Sequence, residues 1–215
     1  MVISCGGKYE GQSEGEIHFD VSYPKLDKDN FMKDFLPKKM LLKFKDDRVS
    51  NTLSAGMGMF QFGMISDIEN QQLVRTAKLI NKKYALNLHN EEVFNALNKE
   101  AAYDIQFTDE TKKILGFDCK KIVVTIKDGS NDTFSAYYTD KINIENPNWF
   151  NQYSPVKGVL LEYEYEKYDM RMHMVATKIH FKELEENAFE VSEKYLDINE
   201  EKMDKEMVEL FGSFQ

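Results

Sequence analysis

The chain has 215 residues and a net charge of −9, from 28 basic and 37 acidic side chains. That balance argues against the basic stripe on which nucleic-acid binding depends, and no run approaches the roughly 20 apolar residues that a membrane-spanning helix needs. Hydrophobic residues make up 42%, with fifteen Phe and eleven Tyr, enough for a substantial core in a single domain. The charge is uneven: residues 183–215 hold eleven acidic side chains and three lysines, so the body is nearly neutral and the tail acidic. A solvated helix face accounts for such a tail more simply than a partner-binding segment does.

At the start, Val2-Ile3-Ser4-Cys5-Gly6-Gly7 resembles a bacterial lipobox, with a polar, Gly-rich tether following to Glu14. A secretory signal needs roughly 7–15 apolar residues before its cleavage site, and four residues precede Cys5. The expectation is a signal-peptide remnant and tether over 1–14, a lipid on Cys5, and a folded domain over 15–215 in the cell envelope. Cys119 opens an apolar run and reads as a small buried thiol. The two cysteines form neither a disulfide framework nor a zinc pattern.

Glu16 to Tyr23 alternates, with Ile17, Phe19, Val21 and Tyr23 on one face, and predicts a half-buried strand. Asp27 to Leu36 predicts a short helix that Pro37 stops. Met40 to Phe44 predicts a strand ended by an Asp46-Asp47 turn. Asn51 to Ser66 reads as one irregular strand bent near Gly56 and Gly58. Leu73–Ile80 and Lys83–Leu88 predict a hairpin turning at Asn81-Lys82. Asn90 is placed to cap a helix running to Asn98, with Glu91 and Glu92 in its first turn.

Tyr103, Ile105 and Phe107 alternate again, and a kink is expected at Ile114–Phe117. Lys120–Lys127 and Thr133–Thr139 predict a hairpin around Asp128-Gly129-Ser130-Asn131-Asp132. Asn143–Ser154 reads as loop. Gly158–Lys167 and Met170–Lys182 predict a second hairpin, and Glu190–Leu196 a short last strand. Asn199 starts a C-terminal helix whose Met203, Met207, Leu210, Phe211 and Phe214 form one apolar stripe. About nine or ten strands joined by short turns predict an α+β domain: one large curled antiparallel sheet, an unclosed half-barrel, with two or three helices covering its concave face.

The sharpest chemical feature is Met170-Arg171-Met172-His173-Met174. Alternation puts Met170, Met172 and Met174 on one face and His173 on the other. Met57 and Met59 repeat the spacing. Three readings compete: core packing, an adaptable hydrophobic cavity, and a soft Cu(I) site of thioethers, which the placing of His173 disfavours. Phe134, Tyr138, Leu161 and Tyr163 join the five methionines as candidate cavity lining. Glu162, Glu164 and Glu166 alternate with Leu161, Tyr163 and Tyr165 and read as a solvated strand face. No nucleophile elbow, phosphate loop, zinc spacing or calcium loop appears in the sequence, so a non-enzymatic protein without a cofactor is expected.

Gly15-Glu16-Ile17-His18-Phe19, Ile114-Leu115-Gly116-Phe117-Asp118-Cys119-Lys120-Lys121, Ala136-Tyr137-Tyr138-Thr139 and Pro155-Val156-Lys157-Gly158-Val159-Leu160-Leu161-Glu162 together resemble segments of small bacterial envelope proteins. The last resembles the motif that names the GLPGLI family, with Lys157 where that motif has proline. The resemblance covers most of residues 15–196. It implies a fold similar to the lipoprotein-carrier (LolA/LolB-like) class, in which the concave face holds acyl chains, and it supplies no catalytic residues. The expected function is therefore to bind a lipid or other hydrophobic molecule in the concavity, with membrane contact only through a lipid on Cys5. The alternative is a structural or interaction module with a filled interior. A cavity of at least ~300 Å³ separates the first from the second.

Overall fold

The structure, a computed structural model, describes residues 12–27 and 35–212. Cys5 and Phe214 lie outside that range, as does most of the helix expected over Asp27–Leu36. Twelve strands are present among the described residues, all in one sheet.

Six of them form a continuous meander: β1 (Glu14–Ser22), β2 (Lys39–Lys45), β3 (Arg48–Ala55), β4 (Phe60–Asp67), β5 (Gln72–Leu79) and β6 (Lys82–His89). Helix α1 (Glu91–Leu97) then carries the chain to the far edge. There a second meander runs back through β7 (Tyr103–Ile114), β8 (Phe117–Ile126), β9 (Thr133–Thr139), β10 (Val159–Lys167) and β11 (Met170–Phe181). β11 lands beside β1, so the two meanders fuse into one sheet. Every pairing is antiparallel except that of the two-residue β12 (Leu196–Asp197), which lies parallel to β6. Helix α2 (Glu200–Gly212) ends the described chain.

The seam between the meanders is built from alternating apolar residues. Ile17 opposes Ile179, and Val21 opposes Met174; Phe19 opposes Ala176, and Ile17 and Phe19 are fully buried. A bulge at Thr177 shifts the register between His18 and Phe19. The extra residue repairs the gap in the ladder, because the Thr177 hydroxyl donates to the His18 carbonyl at 3.2 Å. Bulges of this kind add twist. At Gly15 the strands approach so closely that a Cβ would stand 2.4 Å from the His180 carbonyl oxygen.

Several expectations are corrected. Residues 51–66 are two strands rather than one, because Gly56, Met57 and Gly58 all take positive φ (56°, 53° and 84°) and reverse the chain in a single 3-10 turn. Left-handed residues are what a tight reversal needs, and two of the three are glycine. The next hairpin turns at Ile80-Asn81, one residue before the expected position, and Lys82 already pairs with Leu79. The Ile114–Phe117 kink is a full hairpin turn with Leu115 and Gly116 at positive φ.

The cover of the apolar face also differs from expectation. The two helices both pack toward β6, where Val93 and Ala96 of α1 and Met203 and Met207 of α2 join Leu73, Tyr84 and Leu86. The rest of that face is closed by the irregular segment 140–158. It gives Ile142 and Ile144 to the largest core cluster, Trp149 and Phe150 to the helical one, and Tyr153 and Val156 to a third around Ile122 and Val124. Buried side-chain bonds hold the segment in shape: Asn148 Nδ2 donates to the Val156 and Gly158 carbonyls at 2.8 and 2.9 Å, and Trp149 Nε1 to Ser66 Oγ at 2.8 Å.

Phe19→Ala, at the seam, is expected to lower stability by about 3–5 kcal/mol in a single cooperative urea transition. A loss under about 1 kcal/mol, or two separate transitions, would contradict the seam's role.

Candidate functional site

Cross-strand partners share a face, which places Arg75 of β5 on the same side as Met64, Asn51, Leu42 and Ile17, and Lys167 of β10 on the same side as Met170. Six strand spacings separate β5 from β10 along the sheet, about 29 Å if it were flat. Yet Arg75 and Lys167 both reach one carboxylate, Glu100. The sheet therefore curls until its wings face each other across the covered side, while its edges stay unpaired to one another.

Between the wings lies a cavity of about 210 Å³. Seven of the nine methionines among the described residues line it: Met40, Met64, Met170, Met172, Met174, Met203 and Met207. The strand methionines arrive by period-two alternation and the last two by the i, i+4 spacing of α2. Aromatic rings complete the wall. Tyr163 packs edge-on to Tyr153 and Phe19, with ring centres 5.8 and 6.1 Å away, and Phe211 of α2 stacks on Tyr168 at 5.9 Å. Burial in this wall pushes the Tyr163 phenol well above its ordinary pKa.

The residues expected to line a cavity separate into three groups. Met170, Met172, Met174 and Tyr163 do line it. Leu161 sits at a bulge between Leu160 and Glu162 and is fully buried in the largest core cluster, outside the lining. Tyr138 and Phe134 pack with Ile122, Val124 and Ala136 in the third cluster, which Tyr153 and Val156 fill from above. Met57 and Met59 are corrected outright: both are exposed, Met57 completely, because they ride the 3-10 turn at the tip of a hairpin. Sequence reasoning missed Arg75, Glu100, Lys167 and the lining residues of β2 to β4, which only the curl of the sheet brings to the same space.

One end of the cavity is charged. Glu100 follows α1, its amide bonded to the Leu97 carbonyl at 3.0 Å, so the helix delivers the carboxylate to this point. Lys167 Nζ and Gln152 Nε2 donate to its two oxygens, Tyr165 OH donates at 3.3 Å, and Arg75 Nη2 stands 3.6 Å away. Gln152 Oε1, also buried, finds no partner among the described residues. Burial pushes the Glu100 carboxyl up, but Lys167, Gln152 and Arg75 outweigh it and hold the group below its ordinary 4.5. Lys167 is pushed down by burial and by Arg75, against the pull of Glu100. One carboxylate thus serves two cations.

The outer face of β10 and β11 behaves differently from expectation. Glu162, Glu164 and Glu166 do alternate away from the cavity, but they are half-buried rather than solvated. Arg171, 7% exposed, donates from Nε to Glu166 at 2.6 Å and lies 3.0 Å from Asp132. Burial raises the Glu164 carboxyl. His173 stands 3.9 Å from Glu162 on this same face, across the sheet from the three methionines. Cys119 is buried and reduced, its thiol pushed up to about 11 by burial.

Neither a scan against protein-family models nor a search of the curated proteins finds a match to this chain. The resemblance to the GLPGLI family accordingly rests on the quoted motifs.

Glu100→Gln is expected to cost about 3–5 kcal/mol, because it strands two partly buried cations. The folded carboxyl titrates below 4.5, so its contribution is full above pH 4.5 and is lost as pH falls through the folded value. Urea denaturation from pH 7 to pH 3 should show a shallower acid loss in Glu100→Gln than in the parent; equal slopes would contradict the assignment.

Proposed function

We propose that this is a non-enzymatic cell-envelope protein that holds one small or slim apolar moiety in the methionine-walled cavity of a lipoprotein-carrier-like half-barrel. The observation that carries the reading is the gathering of seven of the nine described methionines around one void. Methionine is unbranched and polarisable, and it recurs where a surface must accept apolar partners of varied shape. A core built only for stability is better served by Leu, Ile, Val and Phe, whose rotamers are better defined. The envelope location draws on Val2-Ile3-Ser4-Cys5 and on the GLPGLI-like segments.

Size narrows the ligand. At about 210 Å³ the cavity falls short of the ~300 Å³ that marks a preformed site for a drug-sized molecule. It exceeds the roughly 150 Å³ of an apolar cavity that takes benzene. One ring or one short chain fits; a two-chain lipid does not, unless the thioether side chains and α2 give way. By the ~300 Å³ threshold set from the sequence, the shortfall counts against any drug-sized or two-chain ligand. It favours a second reading, an interaction module whose interior is closed by its own side chains apart from this void.

Calorimetric titration with 1-octanol separates the two. One saturable site with a negative heat-capacity change is expected, and Met172→Trp, which fills the void, should remove it. The absence of saturable binding in the parent protein would leave the filled module as the answer.

A further inference from the structure

The charged end of the cavity has more donors than acceptors. Arg75 carries five N–H donors. Among the described residues its guanidinium makes one polar approach, to Glu100 at 3.6 Å, which is beyond hydrogen-bond reach. Lys167 donates to the same carboxylate and otherwise faces the Tyr168 ring at 5.2 Å, which accepts no conventional hydrogen bond. Glu100 already accepts from Lys167, Gln152 and Tyr165, three of its about four acceptor positions, so at most one is left for the five donors of Arg75. The next carboxylate, Asp204, accepts from Tyr168 OH at 2.7 Å and forms no ion pair with either cation among the described residues. Both Arg75 and Lys167 lie on the cavity lining, and their side chains are only 16% and 19% exposed.

Resting on the function proposed above, we infer that the ligand is a monocarboxylate with a slim apolar tail, its head held by Arg75 and Lys167 and its tail lying among the methionines. The open donors of Arg75 select the head. Glu100 and Asp204, whose charge also acts on Lys167, already balance the two cations, so a monoanion that takes the guanidinium donors adds one negative charge where a phosphate monoester dianion adds two. The guanidinium fork matches a carboxylate in two parallel bonds. The partly buried setting strengthens those bonds relative to water, and an uncharged head of the same length gains none of them.

The test compares sodium octanoate with 1-octanol by calorimetry at pH 7, on the full chain and on two variants. The parent should bind octanoate about tenfold or more tighter than octanol, the ratio that one charge-assisted contact confers. Arg75→Gln, which leaves the Glu100–Lys167 pair in place, should reduce the preference to the part that Lys167 carries, while octanol still binds at a single saturable site. Arg75→Lys should keep part of the preference. Equal affinity of the parent for the two ligands, or a preference undiminished in Arg75→Gln, would overturn the carboxylate site and leave the cavity reading standing. Binding of neither ligand would overturn both.

Discussion

The pairing of β1 with β11 is the constraint on which the rest of the structure depends. Each meander has its own cover, α1 and α2 on the first and segment 140–158 on the second, but neither alone makes the curled sheet. Fusion at the seam makes one sheet of twelve strands from residues near opposite ends of the sequence. The close approach at Gly15 and the Thr177 bulge tighten and twist that junction, where Phe19 is buried against the Tyr163 ring. Because long-range pairing must be closed before it is rewarded, the seam is also the costliest contact to form.

The cavity follows from the seam. A twisted sheet of this width curls, and the two wings it carries round meet through Glu100, which draws Arg75 from one and Lys167 from the other. What lies between is too irregular for helices alone to close. Segment 140–158 contributes to all three core clusters and, through Ile144, Phe150 and Tyr153, lines the cavity together with methionines from β2, β4, β11 and α2. The void is thus bounded by the most adaptable side chains in the chain, with a fixed ionic cluster at one end. That combination is what the proposed binding role rests on.

Much of this was legible in the sequence, for physical reasons that differ from element to element. β1 and the β10–β11 hairpin announce themselves because apolar and polar residues alternate along them, even though Arg171 and the outer glutamates of β10 are themselves buried or half-buried. The apolar stripe of α2 reads at helical period for the same reason, and both of its described core methionines are buried. The β3–β4 reversal was hidden because a methionine occupies a left-handed position that the glycines alone were expected to mark. Met57 and Met59 share the two-residue spacing of Met170 and Met172, but spacing carries no information about whether a strand continues. Glu100, Arg75 and Lys167 sit in three unrelated segments, and no local pattern connects them; only the curvature of the sheet does. Leu161 and Tyr138 are expected on the cavity wall; both are buried outside it, Leu161 at a bulge and Tyr138 under the covering segment.

The most direct test of the account is methyl NMR on protein labelled at methionine, titrated with 1-octanol. The resonances of Met40, Met64, Met170, Met172, Met174, Met203 and Met207 should move together along one saturation curve, while the exposed Met57 and Met59 stay still. Shifts confined to Met57 and Met59, or no shift in any lining methionine at saturating octanol, would contradict a methionine-walled binding cavity.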